Sequence, residues 1–143
     1  MKEANTYIFY SNRYKMYKIG RSSNIDGRLK TLAREYGHLE LFFETDIDIE
    51  LFLHKSFDSK RYRLGKSTEW FKLSKEDFIL IDKFRIMDSS KQSQFVLDYK
   101  SERKLSKLIK RIKTQKITIK LAKEQLKKSE GVLDKYKKQL KNF

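Results

Sequence analysis

Hydrophobic and polar positions change their period several times along the first ninety residues, and each change marks an element. Tyr7-Ile8-Phe9-Tyr10 is an aromatic and β-branched run that favours a strand. Ser11-Asn12-Arg13 fits a turn. From Met16 to Gly20 the chain returns with Tyr17 and Ile19 alternating about charged Lys18, so a hairpin is predicted. Ser22-Ser23-Asn24 supplies helix N-cap side chains. Ile25, Leu29, Leu32 and Ala33 then sit at helical spacing, and Gly37 supplies the stop. Leu39 to Thr45 reads as a third strand. Asp46 or Asp48 opens a second helix, with Ile49, Phe52, Leu53 and Phe57 on one face. A basic, irregular segment follows, then a short extended piece at Glu69-Trp70-Phe71. Ser74-Lys75-Glu76-Asp77 resembles a capping box, with Asp where Glu or Gln is usual, and Phe78, Leu80, Ile81, Phe84 and Ile86 follow it. This order predicts an α+β domain over residues 1–90: a small antiparallel three-stranded sheet flanked by helices.

Residues 91–143 follow another rule. Leu105, Ile112, Ile119, Leu126, Leu133 and Leu140 recur every seven residues. The positions three further on are Leu108, Gln115, Ala122, Ser129, Tyr136 and Phe143, apolar only in part. The pattern predicts a long C-terminal helix with a weak two-stranded coiled-coil seam, and hence a homodimer through residues 99–143. The rival arrangement is one helix folding back on its own domain. Gly131 is a soft spot, costing about 1 kcal/mol relative to alanine.

Charge adds a functional clue to this division. The net charge is +15, and residues 100–143 carry 16 Lys or Arg against 4 Asp or Glu, or +12 of it. Phosphate neutralisation with counterion release is the obvious use of such a segment, so DNA is the expected partner. A solvated, self-repelling helix is the plain alternative. No cysteine occurs, which excludes disulfides, thiolate zinc sites and a catalytic cysteine. The polar start, Met1 to Asn5, predicts no signal peptide. No apolar run approaches membrane-spanning length, so no membrane partner is expected and the cytoplasm is the expected location.

The candidate chemistry lies in the first seventy residues. Tyr7 stands on the first strand, with Asn5-Thr6 before it. Lys18-Ile19-Gly20 stands on the second, and Arg28 follows eight residues after that glycine, on the first helix. Glu50-Leu51-Phe52-Leu53-His54 forms a later helix, and Glu69-Trp70-Phe71 comes after it. In this order and spacing the chain resembles the GIY-YIG nuclease superfamily, especially the branch common in phages and large DNA viruses. Tyr7 takes the place of that family's first tyrosine, with Asn5-Thr6 where Gly-Ile would stand. Lys18 takes the place of the second tyrosine, as in some restriction-enzyme-like members. The resemblance covers residues 5 to about 80.

The resemblance implies a metal-dependent DNA endonuclease. Glu50 would hold Mg²⁺ or another divalent cation, and Arg28 would brace charge on the phosphate. Tyr7 is the first choice of base, with Lys18 as base or phosphate contact. His54, four residues after Glu50 on one side of the helix, would orient water or contact phosphate. Tyr17, expected on the opposite sheet face, and Glu69 are secondary candidates. Arg21, Lys60, Arg61 and Arg63 would grip the DNA backbone, which carries little sequence information.

Each residue taken alone has a plainer reading. Tyr7 is a strand aromatic, Lys18 a solvated strand residue, and Arg28 a partner for Asp26 or Glu35. Glu50 is a first-turn acid favoured by the helix dipole. Glu69 is an exposed acid beside a core tryptophan. Two rivals to the nuclease therefore stand: a DNA-binding module on the same fold that does not cut, and a coiled-coil assembly protein whose lysines keep it in solution.

Overall fold

The computed structural model describes residues 3–143. Its elements run β1 (Asn5–Ser11), β2 (Met16–Ser22), α1 (Ile25–Tyr36), β3 (Leu39–Thr45), α2 (Glu50–Ser56), β4 (Arg61–Leu64), β5 (Ser67–Phe71), α3 (Lys75–Ile86) and α4 (Ser89–Lys141). The chain divides into one compact unit that ends at Asp98 and a second from Tyr99 to Phe143.

The first unit is α+β, but its sheet has five strands in the order β3-β1-β2-β5-β4 and not the expected three. All the pairings are antiparallel. The two additional strands are the basic segment Arg61–Leu64 and the stretch from Ser67 to Phe71. They form a hairpin in which Leu64 pairs with Ser67 across Gly65-Lys66. Gly65 has φ 59°, a conformation that glycine adopts without penalty. Arg-Tyr-Arg-Leu has no apolar alternation because β4 is an edge strand with its side chains half or fully exposed.

Local signals explain the helix starts. The Asn24 side chain accepts a hydrogen bond from Gly27 N at 3.0 Å and caps α1. Asp48 Oδ1 accepts from Glu50 N at 3.3 Å at the start of α2. At α3 the reciprocal capping box of Ser74 and Asp77 is present, with Asp77 Oδ2 accepting from Ser74 N at 2.7 Å. Asp is shorter than the usual Glu and still spans the gap.

Antiparallel register decides which side chains share a face. Tyr7 pairs with Gly20, Phe9 with Lys18, and Lys18 in turn with Trp70. Tyr7, Phe9, Met16 and Trp70 thus join Leu32 and Tyr36 of α1 in one buried cluster. Tyr17 is turned the other way, against Tyr10, Phe42 and Phe78. On that second face Phe52, Phe84 and Phe95 pack edge to face. Gln92, at the start of α4, is buried among them. Its amide donates to Phe84 O at 2.7 Å and its oxygen accepts from the Thr45 hydroxyl.

In the second unit every side chain after the half-buried Tyr99 is exposed, including Leu105, Ile112, Ile119, Leu126, Leu133 and Leu140. Helix α4 continues through Gly131. No helix among the described residues is long and apolar enough to cross a membrane.

Candidate active site

Three cations and two acids surround a cleft of about 270 Å³ between α1 and the β4–β5 turn: Lys18, Arg28 and Lys66 with Glu35 and Glu69. Lys18 is brought there by strand alternation, since it shares a face with Tyr7 and Trp70. Its side chain is only 3% exposed. Burying a cation demands a partner. Lys18 Nζ lies 2.5 Å from Glu69 Oε2, 3.4 Å from Ser67 Oγ, and 5.9 Å from the centre of the Trp70 ring.

Arg28, one helical turn after the α1 cap, donates from Nε to the Tyr7 hydroxyl at 3.5 Å. It makes no ion pair among the described residues with Asp26 or Glu35. Its charge is therefore not neutralised at short range. Burial pushes the Tyr7 phenol above its ordinary value, against the hydrogen bond and positive charge of Arg28. Gly20 faces the same phenol. A Cβ at position 20 would come within 2.6 Å of Tyr7 Cζ and closer still to the hydroxyl, so the ring occupies space that only glycine leaves.

A second group lies where α2 meets β2. Glu50, in the first turn of α2, is 19% exposed in its side chain. Arg21 Nε is 3.3 Å from Glu50 Oε2, and Arg21 Nη1 is 2.7 Å from Asp48 Oδ2. Burial raises the Glu50 carboxyl above the ordinary glutamate range; the nearby His54 and Arg21 oppose this, while Glu69 and Asp48 add to it. His54 Nε2 lies 3.9 Å from Glu50 Oε1 but 2.9 Å from the Ile19 carbonyl. A carbonyl can only accept, so Nε2 carries the proton and donates to it. The His54 ring also lies 5.2 Å from that of Phe71, so α2 is fastened to the sheet through this residue.

Glu69 is the link between the two groups. The β2–β5 register covers only Tyr17↔Phe71 and Lys18↔Trp70. Beyond it Glu69 has no strand partner across from it, and Ile19 offers its carbonyl to His54. Burial opposes a charge on Glu69, but the hydrogen bond and charge of Lys18, with His54 and Arg28, outweigh it and hold the carboxyl below the ordinary range. The same acid thus feels Lys18 and Arg28 from one group and His54 and Glu50 from the other.

Glu50 is the carboxylate that could hold a divalent ion. No set of three or more His, Cys, Asp or Glu side chains converges on a common point among the described residues. One carboxylate completed by water and phosphate oxygens is a donor set that suits a hard cation such as Mg²⁺.

The basic residues expected to grip DNA are engaged within the protein. Arg61 Nε meets Asp58 Oδ1 at 3.1 Å, its Nη1 donates to Thr68 O at 2.8 Å, and its guanidinium stacks 5.0 Å from the Phe71 ring. Arg63 Nε donates to Gly65 O at 3.1 Å, and Lys60 Nζ is 3.7 Å from Asp77 Oδ2. Sequence reasoning read Asp48 only as a helix start, and it missed Ser67 altogether. Asp48 had a signal, two residues before Glu50 at the helix start; Ser67 had none.

Residues 5–85 match the T5orf172 domain, more than half of the 143 residues. The chain belongs to the T5orf172 domain family, whose domain is found in phage and other nucleases. No curated protein and no solved structure matches the chain.

Proposed function

We propose that this protein is a GIY-YIG-type endonuclease that hydrolyses DNA phosphodiester bonds with the help of a divalent cation, Mg²⁺ in the first instance. The observation that carries the reading is the pairing of Arg28 with Tyr7 beside a cationic cleft, with the Glu50 carboxylate near enough to act on the Tyr7 phenol. In hydrolysis, water attacks phosphorus, the bond to the leaving oxygen breaks, and that oxygen ends protonated. A cation held by Glu50 would neutralise phosphate charge and stabilise the leaving oxygen. Arg28 would brace the phosphate through the N–H groups that Tyr7 does not use. Tyr7 would take the proton of the water, a role that burial opposes and the charge of Arg28 favours. Arg21 would exchange its carboxylates for a DNA phosphate once a cation takes Glu50. The lysines of the second unit would hold the backbone, and the Leu105-to-Leu140 seam would pair with a second copy.

One observation favours a DNA-binding module that does not cut: Glu50 already has a cationic partner in Arg21 at 3.3 Å. The two readings separate when the protein is incubated with single-stranded, duplex and branched DNA, with Mg²⁺ or with chelator, beside Glu50→Ala. Metal-dependent cleavage that Glu50→Ala abolishes supports the nuclease. Cleavage that survives chelator or the substitution sinks the role given to Glu50. Binding with no cleavage supports the rival.

A further inference from the structure

Arg21 joins two acids near the end of β2. Its Nη1 lies 2.7 Å from Asp48 Oδ2 and its Nε 3.3 Å from Glu50 Oε2, so two carboxylates share one delocalised cation. More than this ion pair places Asp48 there. The Thr6 hydroxyl, buried on β1, donates to Ile47 O at 2.9 Å and accepts from Ile49 N at 2.8 Å. These bonds clamp the backbone on either side of Asp48 to the strand that carries Tyr7. Ile49, 2% exposed, anchors the same turn in the core. Asp48 Oδ1 then accepts from Glu50 N at 3.3 Å, which orients the carboxylate and leaves Oδ2 to Arg21.

A helix cap needs one oxygen, so capping alone gives Oδ2 no task. The other candidates near Glu50 are committed. His54 Nε2 donates to Ile19 O at 2.9 Å, and Glu69 is paired with Lys18 at 2.5 Å. Arg21, by contrast, is 58% exposed, and an exposed ion pair is weak enough for a doubly charged ion to displace it. Neighbouring like charges disfavour each other, and Asp48 adds to the rise of the Glu50 carboxyl. A cation between the two acids relieves both. Mg²⁺ takes one or two carboxylates and keeps several of its waters, so a pair of acids suits it.

We propose that Asp48 is the second carboxylate of the divalent-cation site, beside Glu50, and that the Arg21 guanidinium keeps the cation's place between them. The inference rests on the nuclease reading for the identity of the ion and adds one acid to its site. The ion binds in exchange for Arg21, whose guanidinium is then released for a DNA phosphate.

The test is Mn²⁺ binding to the full chain without DNA, with Mn²⁺ standing for Mg²⁺ and the free ion followed by electron paramagnetic resonance. Loss of Asp48 also loosens Arg21, so the comparison is made within Arg21→Ala, which should itself bind Mn²⁺ more tightly than the parent. Adding Asp48→Asn keeps an oxygen for the Glu50 N–H. It should weaken binding about tenfold or more while the urea-unfolding midpoint moves little. Adding Glu50→Gln should weaken binding at least as much. Asp46, exposed and two residues before Asp48, is the control for charge alone. Adding Asp46→Asn should change affinity by less than about threefold at physiological salt, where exposed charges at a distance are screened. Equal affinity with and without Asp48→Asn overturns the inference and leaves Asp48 a helix cap only. A loss that Asp46→Asn reproduces overturns it too. Full affinity in Glu50→Gln sinks both this inference and the role given to Glu50. If Mn²⁺ binding follows the expected order and the parent cuts no DNA with Mg²⁺, the nuclease reading fails while the two-acid site stands.

Discussion

The Tyr7 ring occupies the space that the missing side chain of Gly20 leaves on the paired strand, with Tyr7 Cζ 2.6 Å from where a Cβ would stand. Gly20→Ala therefore has to displace a ring that is 1% exposed. Overpacking of this kind costs about 1–3 kcal/mol. A urea-unfolding midpoint lowered to match is expected, together with a larger loss of cleavage than the destabilisation explains. An unchanged midpoint would show that the ring moves freely, and the close approach would then have no energetic meaning.

Arg21 binds Asp48 and Glu50 on the surface, with its side chain 58% exposed. Exposed pairs contribute little in high-dielectric surroundings, so Arg21→Ala should leave stability almost unaltered. It should also free Glu50, so that Mg²⁺ binds more tightly by titration calorimetry while DNA binds more weakly. Weaker Mg²⁺ binding in the variant would show that Arg21 does not compete for the carboxylate.

Glu69 should give stability an acid dependence with a definite sign. Its folded carboxyl is held below the ordinary value of 4.5. A lowered acid contributes stability above the unfolded value and loses it as pH falls through the folded one. The advantage of the parent over Glu69→Gln in urea unfolding should be full at neutral pH and shrink below about pH 4.5. A difference that grows on acidification contradicts the assignment.

Gln92 is 5% exposed and bonded at both ends, to Thr45 on β3 and to the Phe84 carbonyl of α3. Gln92→Leu fills the volume but leaves the carbonyl and the hydroxyl without these partners. The expected cost is about 1–3 kcal/mol, read from thermal or urea unfolding. A neutral or stabilising result would mean that water or a rotated Thr45 replaces the lost bonds.

Lys113, Lys120 and Lys127 recur at seven-residue spacing on α4, and every one is exposed. Changing all three to Gln keeps helix propensity nearly constant. If they meet DNA phosphates, the slope of log affinity against log salt should fall by about 2–3. Circular dichroism should stay unchanged. An unaltered slope would leave the lysines a solubilising role.

Local physics made much of this protein legible from sequence. The third strand, Leu39–Thr45, follows from its apolar run, and the Asn24 cap and the Ser74–Asp77 box act over three residues. Alternation alone turned Lys18 and Tyr17 to opposite faces of the sheet. Tertiary structure decided what depends on distant partners. Arg61–Leu64 is a strand because β5 supplies its hydrogen bonds, and its charged edge side chains carry no period to read. Arg61 reads from sequence only as a basic residue, and its partners Asp58, Thr68 and Phe71 are visible only in the fold. Lys18 could be placed on its strand from sequence, but its partner lies 51 residues away, across a ladder that stops one residue short of Glu69. Side-chain period is a property of neighbours in the chain, whereas the partner of a buried lysine is whatever the fold brings beside it.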